Sequence, residues 1–130
     1  MNLNQVSLPS TDIARSAAFY DRLGFVQIVS DLPSYARFEC TIGGSTFSLH
    51  HVPFVPAQTA VIVYFECSDL AETFQTLTNR GFIFDLPPTD QSWLWREAYL
   101  RDPDGNLLCF YTAGENRRNP PWRLPTPKNG

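Results

Sequence analysis

The chain repeats itself at a distance of 57 residues, and that repeat restricts its fold more than any other feature. Asp12-Ile-Ala14 recurs as Asp69-Leu-Ala71, and Gly24-Phe25 recurs as Gly81-Phe82. The matches fall on residues that start helices, stop them or face a core. Asp12 and Asp69 are good N-caps, Ile13, Ala17 and Tyr20 share a helical face as Leu70, Phe74 and Leu77 do, and each glycine stands where a left-handed stop belongs. Leu3 to Leu8 alternates as a strand ahead of the first helix. Strand-like runs follow it at Phe25–Val29, Tyr35–Cys40 and Thr46–Val52, the last two separated by Gly43-Gly44. Pro53 and Pro56 interrupt the chain before another apolar run opens at Ala60. The expected architecture is α+β: two tandem βαβββ modules, roughly residues 1–56 and 57–114, forming curved mixed sheets around a shared cleft, each backed by a helix.

The second module ends in a hairpin whose turn chemistry sets its register. In Arg101-Asp-Pro-Asp-Gly-Asn106, Pro103 presets φ for a type I turn, Asp102 can bond to the turn backbone and Gly105 can close it at positive φ. Counting at period two, Ala98, Leu100, Leu108 and Phe110 form an aliphatic face, while Glu97, Tyr99, Arg101, Cys109 and Tyr111 take the other. Matching Gly44 to Gly105 pairs Ser48 with Cys109 and His50 with Tyr111 between the modules.

Bulk properties remove several function classes. A net charge of −3 and no basic stripe argue against nucleic acid as a partner. No apolar run reaches the roughly 18–20 residues of a membrane span, and Met1-Asn-Leu-Asn-Gln5 lacks the features of a signal peptide, so neither a membrane nor export is expected and the location reads as cytoplasmic. Cys40, Cys67 and Cys109 form no Cys-x-x-Cys pair; Cys40 and Cys67 read as small buried hydrophobes.

Three motifs, Gln5-Val-x-Leu-Pro-x-x-Asp12, Phe19-Tyr-x-x-Leu-Gly-Phe25 and Asp102-Pro-Asp-Gly-Asn106, make residues 3–113 resemble the vicinal oxygen chelate superfamily. That superfamily holds glyoxalase I, extradiol dioxygenases, and fosfomycin and bleomycin resistance proteins. The resemblance implies metal ligands at Gln5, Ser48, Ile62 and Cys109, and a homodimer. Of these only Gln5 resembles a ligand that some glyoxalases use, and isoleucine cannot coordinate, so no metal cofactor is expected. A displaced site of Gln5, His50 and Glu97 or Glu39, holding nickel, zinc, manganese or iron, is the alternative.

Without a metal, the cleft is expected to be lined by Gln5, Ser7, Arg37, Glu39, Ser48, His50, Tyr64, Trp95, Glu97, Tyr99, Cys109 and Tyr111. Aromatic faces suit a planar or cationic small molecule, whereas Arg37 could hold a carboxylate or phosphate. His50 and Glu97 are the candidates for acid–base work if a reaction is catalysed. The leading expectation is a small-molecule binding protein of the bleomycin resistance type, and the alternative a metal-dependent lyase or dioxygenase. From Glu115 to Gly130 the chain is Pro-rich and basic. No helix is expected there; Trp122 is expected to anchor the tail on its own domain or a partner, and a tail used for protein interaction is the third possibility.

Overall fold

Period-two alternation in the first half produces a sheet with one apolar and one polar face. The computed structural model describes residues 1–56 and 61–125, so the run expected from Ala60 and the end of the tail lie partly outside the described residues. The elements are β1 (Gln5–Ser10), α1 (Ile13–Leu23), β2 (Val26–Asp31), β3 (Tyr35–Glu39), β4 (Thr46–His51), β5 (Ile62–Glu66), α2 (Leu70–Asn79), β6 (Leu86–Asp90), β7 (Arg96–Arg101) and β8 (Leu107–Thr112). They form two mixed four-stranded sheets ordered β1-β4-β3-β2 and β5-β8-β7-β6. Two βαβββ modules are therefore present. Two compact units result, residues 1–62 with 101–108, and residues 63–100 with the chain from 109 onward. The turn of the last hairpin thus packs with the first unit.

In the first unit β1 runs parallel to β4, while β3 pairs antiparallel with β4 and β2. Ala36 and Phe38 on β3 and Phe47 and Leu49 on β4 point to the buried side, where α1 covers them with Ile13, Ala17 and Tyr20. Phe38 stacks on Phe47 at 5.3 Å and Tyr20 leans on Phe47 at 5.0 Å. Full burial of each such ring contributes about 1.5–3 kcal/mol. Asp12 caps α1 by accepting from Arg15 N at 3.1 Å, and Gly24 ends it at φ +110°. The same opposite-face pattern puts Tyr35, Arg37, Ser48 and His50 on the polar side.

The turn at 101–106 forms as its sequence implies. Asp102 Oδ1 accepts from the backbone amides of Asp104 and Asn106, and Gly105 sits at φ +85°. Asp102 Oδ2 accepts from the buried Tyr20 phenol at 2.7 Å and from Asn106 Nδ2 at 2.8 Å. Asp104 accepts from Thr11 and Ser16 and pairs with Arg15 at 3.1 Å.

In the second unit, Asp69 caps α2 through Glu72 N at 3.0 Å, and Leu70 and Leu77 are buried. Phe110 stacks on Phe65 at 5.5 Å, and Phe74 meets Phe84 at 4.8 Å. Pro87 and Pro88 fall in β6, an edge strand whose pairing with β7 shifts register between Leu86 and Thr89, as strand prolines require.

Two expectations, on the tail and on two cysteines, are corrected. The tail opens with one 3-10 turn, Gly114–Arg117, because the prolines that forbid helix come only at 120 and 121. Trp122 is 56% exposed. Cys40 and Cys67 are half-buried, each in the residue that follows a strand, β3 and β5. Among the described residues, no helix is long and apolar enough to cross a membrane.

Candidate functional site

The first unit carries a chain of hydrogen bonds between two neighbouring strands, β1 and β4. Gln5 Nε2 donates to Ser48 Oγ at 3.0 Å, Ser48 donates to Ser7 Oγ at 2.9 Å, and Ser7 lies 2.7 Å from His50 Nδ1. The order follows from the register, which sets Ser7 beside Ser48. Gln5 Oε1 accepts from Thr46 Oγ1. On β3, Arg37 Nε donates to the Tyr35 phenol at 2.9 Å, and the guanidinium carbon lies 5.4 Å from that ring's centroid. A hydrogen bond from Ser48 holds the Tyr35 phenol below its usual pKa; burial opposes it and Arg37 reinforces it. Glu39 is exposed at the end of β3 opposite Thr46. His51 is exposed, and its backbone amide donates to Ser34.

The second unit carries an aromatic face. Trp95 stacks on Tyr111 at 4.5 Å with planes 16° apart, and Tyr64 meets both edge-on at 5.9 and 5.8 Å. Tyr111 is covered by this stack, Trp95 is half-buried, and Tyr64 stays 45% exposed. Trp95 Nε1 donates to Asn116 O at 3.3 Å, so the 3-10 turn holds the indole by its edge. An open pocket of about 580 Å³ lies beside Trp95, lined also by Leu94, Thr112 and Ala113.

Next to these rings on the same strand face, Glu97 and Cys109 are buried and Tyr99 is half-buried. Glu97 is 1% exposed and accepts from the Tyr99 phenol at 3.0 Å and from Cys109 Sγ at 3.7 Å. Burial, with Glu97 beside it, pushes the Cys109 thiol up to about 12. Tyr99 and Tyr64 are raised for the same leading reason, burial, and so is Tyr111.

The positions at which the family resemblance puts metal ligands do not suit a cation. Gln5 aims an amide N–H at Ser48 and spends its carbonyl on Thr46. Ile62 offers only hydrocarbon, and Cys109 Sγ is turned towards Glu97 Oε2, 3.7 Å away. Among the described residues, no group of three or more His, Cys, Asp or Glu could hold a metal ion.

The family model for the Glyoxalase/Bleomycin resistance protein/Dioxygenase superfamily matches residues 2–110. The chain belongs to that superfamily. Its relatives include YraH of Bacillus subtilis, an uncharacterised protein 28% identical over 129 residues, covering 85% of this chain and 98% of that one. Among solved structures, a superfamily protein from Nocardioides is 26% identical with a TM-score of 0.76, covering 96% of this chain and 90% of that one. A bleomycin-binding protein complexed with bleomycin is 27% identical with a TM-score of 0.72, covering 86% of this chain and 98% of that one.

The structure brings Gln5, Ser7, Ser48 and His50 into one array with Arg37, and Tyr64, Trp95 and Tyr111 into another. Glu97 and Cys109 lie on the same strand face as the second array but are buried, bonded to each other and, through Glu97, to Tyr99. Tyr35 is the residue that sequence reasoning undervalued: alternation set it on Arg37's face, but only the β3–β4 register, which puts it opposite His50, makes it part of the array.

Proposed function

We propose that this protein is a small-molecule binding protein that holds an aromatic or charged ligand without a chelated metal. The observation that carries the reading is the stack of Trp95 on Tyr111 with Tyr64 edge-on and partly exposed, since it offers a flat apolar surface already fixed in position. Aromatic stacking contributes about 0.5–1.5 kcal/mol beyond buried area, and a cation over such rings up to about 2 kcal/mol. Similarity to a protein whose structure holds bleomycin supports the same class of activity. The Glu97 oxygens accept from Tyr99 and Cys109, and His50 Nδ1 faces Ser7, so nothing favours the displaced metal set of a lyase or dioxygenase. A homodimer, implied by the family resemblance, is part of this proposal, and light scattering tests it.

The test of the ligand site uses Trp95 as its own reporter. In a Trp93→Phe, Trp122→Phe background it is the sole indole. Titration with metal-free bleomycin and a panel of planar aromatic cations and neutral analogues should quench its fluorescence saturably. Trp95→Ala should weaken the same binding more than tenfold by calorimetry while leaving the circular dichroism unchanged. Failure of every compound to saturate, or an unchanged Kd in Trp95→Ala, refutes the proposal.

A further inference from the structure

The polar face of the first unit sets a guanidinium and an imidazole on neighbouring strands. Arg37 is half-buried and carries five N–H donors. Its Nε is spent on the Tyr35 phenol, and among the described residues the guanidinium forms no ion pair with a carboxylate and its terminal nitrogens form no hydrogen bond. A partly desolvated cation without a counter-charge is an unfavourable arrangement unless a ligand completes it. Tyr35 fixes the direction of the fork from one side, so the free donors are already oriented.

The hydrogen-bond chain beside it determines what His50 offers. Ser7 lies 2.7 Å from His50 Nδ1 and holds the ring by that nitrogen, while Gln5 and Ser7 engage the neighbouring Ser48 hydroxyl. With Nδ1 turned to Ser7, Nε2 is the ring nitrogen left to meet a ligand, and an imidazole N–H there donates to an anion. In the β3–β4 register Arg37 stands opposite Ser48 and Tyr35 opposite His50, which makes Arg37 and His50 diagonal neighbours on one face. Diagonal positions are roughly 7–8 Å apart at the backbone, within reach of a long side chain and a two-oxygen bridging group. Glu39, the nearest carboxylate along β3, is exposed and pairs with the Thr46 position at the strand end.

We infer that Arg37, oriented by Tyr35, and His50 Nε2, oriented by Ser7, form an anion site that takes the carboxylate or phosphate group of a small molecule. A planar guanidinium matches either group with two parallel hydrogen bonds, and the imidazole supplies a third donor at an angle to them. The depressed phenol of Tyr35 agrees with this surplus of donors over acceptors. The site is independent of the aromatic face and stands even if that face binds nothing.

The chain has two histidines, His50 and the exposed His51, so each ring can be followed by NMR, with His51→Gln making the assignment. The whole chain is titrated with inorganic phosphate and, separately, with benzoate, against sodium chloride of equal ionic strength. Saturable shifts of the His50 ring at millimolar anion, with His51 unmoved, are expected; saturation by phosphate alone or benzoate alone names the group recognised. Arg37→Gln should weaken the response at least tenfold, Arg37→Lys less, and Tyr35→Phe should weaken it with the guanidinium still present. Backbone amide spectra of each variant verify that it is folded. Equal shifts at both histidines, a linear response that never saturates, or an Arg37→Gln protein with unchanged affinity overturns the inference.

Discussion

Replacing Tyr20 by phenylalanine removes one hydroxyl from a fully buried carboxylate network and leaves every ring contact in place. The phenol donates to Asp102 Oδ2 at 2.7 Å, while that carboxylate also accepts from Asn106 Nδ2 at 2.8 Å and from the amides of Asp104 at 3.0 Å and Asn106 at 2.9 Å. A hydrogen bond to a charged group contributes about 1.5–3 kcal/mol, and three remaining donors keep the loss near the low end, at roughly 2 kcal/mol. For a chain of this length that corresponds to a drop in Tm of about 8 °C. The loss should also depend on pH. Burial holds the Asp102 carboxyl above its usual value, against hydrogen bonds from Asn106 and Tyr20 that pull it down. A raised carboxyl contributes stability that is complete below its unfolded value and lost as pH rises through its folded value. Removing the phenol raises it further, so the deficit of Tyr20→Phe should be smallest in acid and grow towards neutral pH. Urea unfolding of both proteins at several pH values measures it. A deficit under about 0.5 kcal/mol, or one that grows as pH falls, refutes the assignment of this hydrogen bond.

Asp104 should show the opposite sign: burial raises its carboxyl, but hydrogen bonds from Thr11, Ser10 and Ser16 outweigh it and hold it low. Its stability is present above the unfolded value and lost as pH falls through the folded one, so Asp104→Asn should flatten the acid limb below about pH 4 in thermal melts. Gly105→Ala should cost about 1 kcal/mol in urea unfolding, because φ +85° is unfavourable for a side chain although nothing lies within 4 Å of the added methyl. Cys109, fully buried and raised to about 12, should resist iodoacetamide at pH 8 in the folded protein and react once guanidinium unfolds it. Rapid native labelling, read by peptide mass spectrometry, would contradict that burial.

Much of the fold was legible because it rests on local chemistry. Asp12, Asp69 and Gly24 act within a few residues of where they stand, so the helices begin and end as the repeat implies. The strand edges moved by a residue or two, as at Val26–Asp31, because pairing partners and not propensity decide where a strand stops. The candidate site was legible as a list of faces. Alternation grouped Arg37 with Tyr35 and Glu97 with Tyr99, but it could not say which group would be covered.

The sequence by itself determined the duplicated βαβββ order, the hairpin turn around Gly105 and the unsuitability of Ile62 as a metal ligand, because these depend on residue identity and short-range geometry. Only the tertiary structure decided that Glu97 and Cys109 would be buried beside the stacked Trp95 and Tyr111 while Arg37 spent its Nε on Tyr35 and kept its terminal nitrogens without a carboxylate among the described residues. Period two assigns a side chain to one of two faces; what packs against that face comes from residues distant in the chain, and burial, pKa and hydrogen-bond partners follow from that packing.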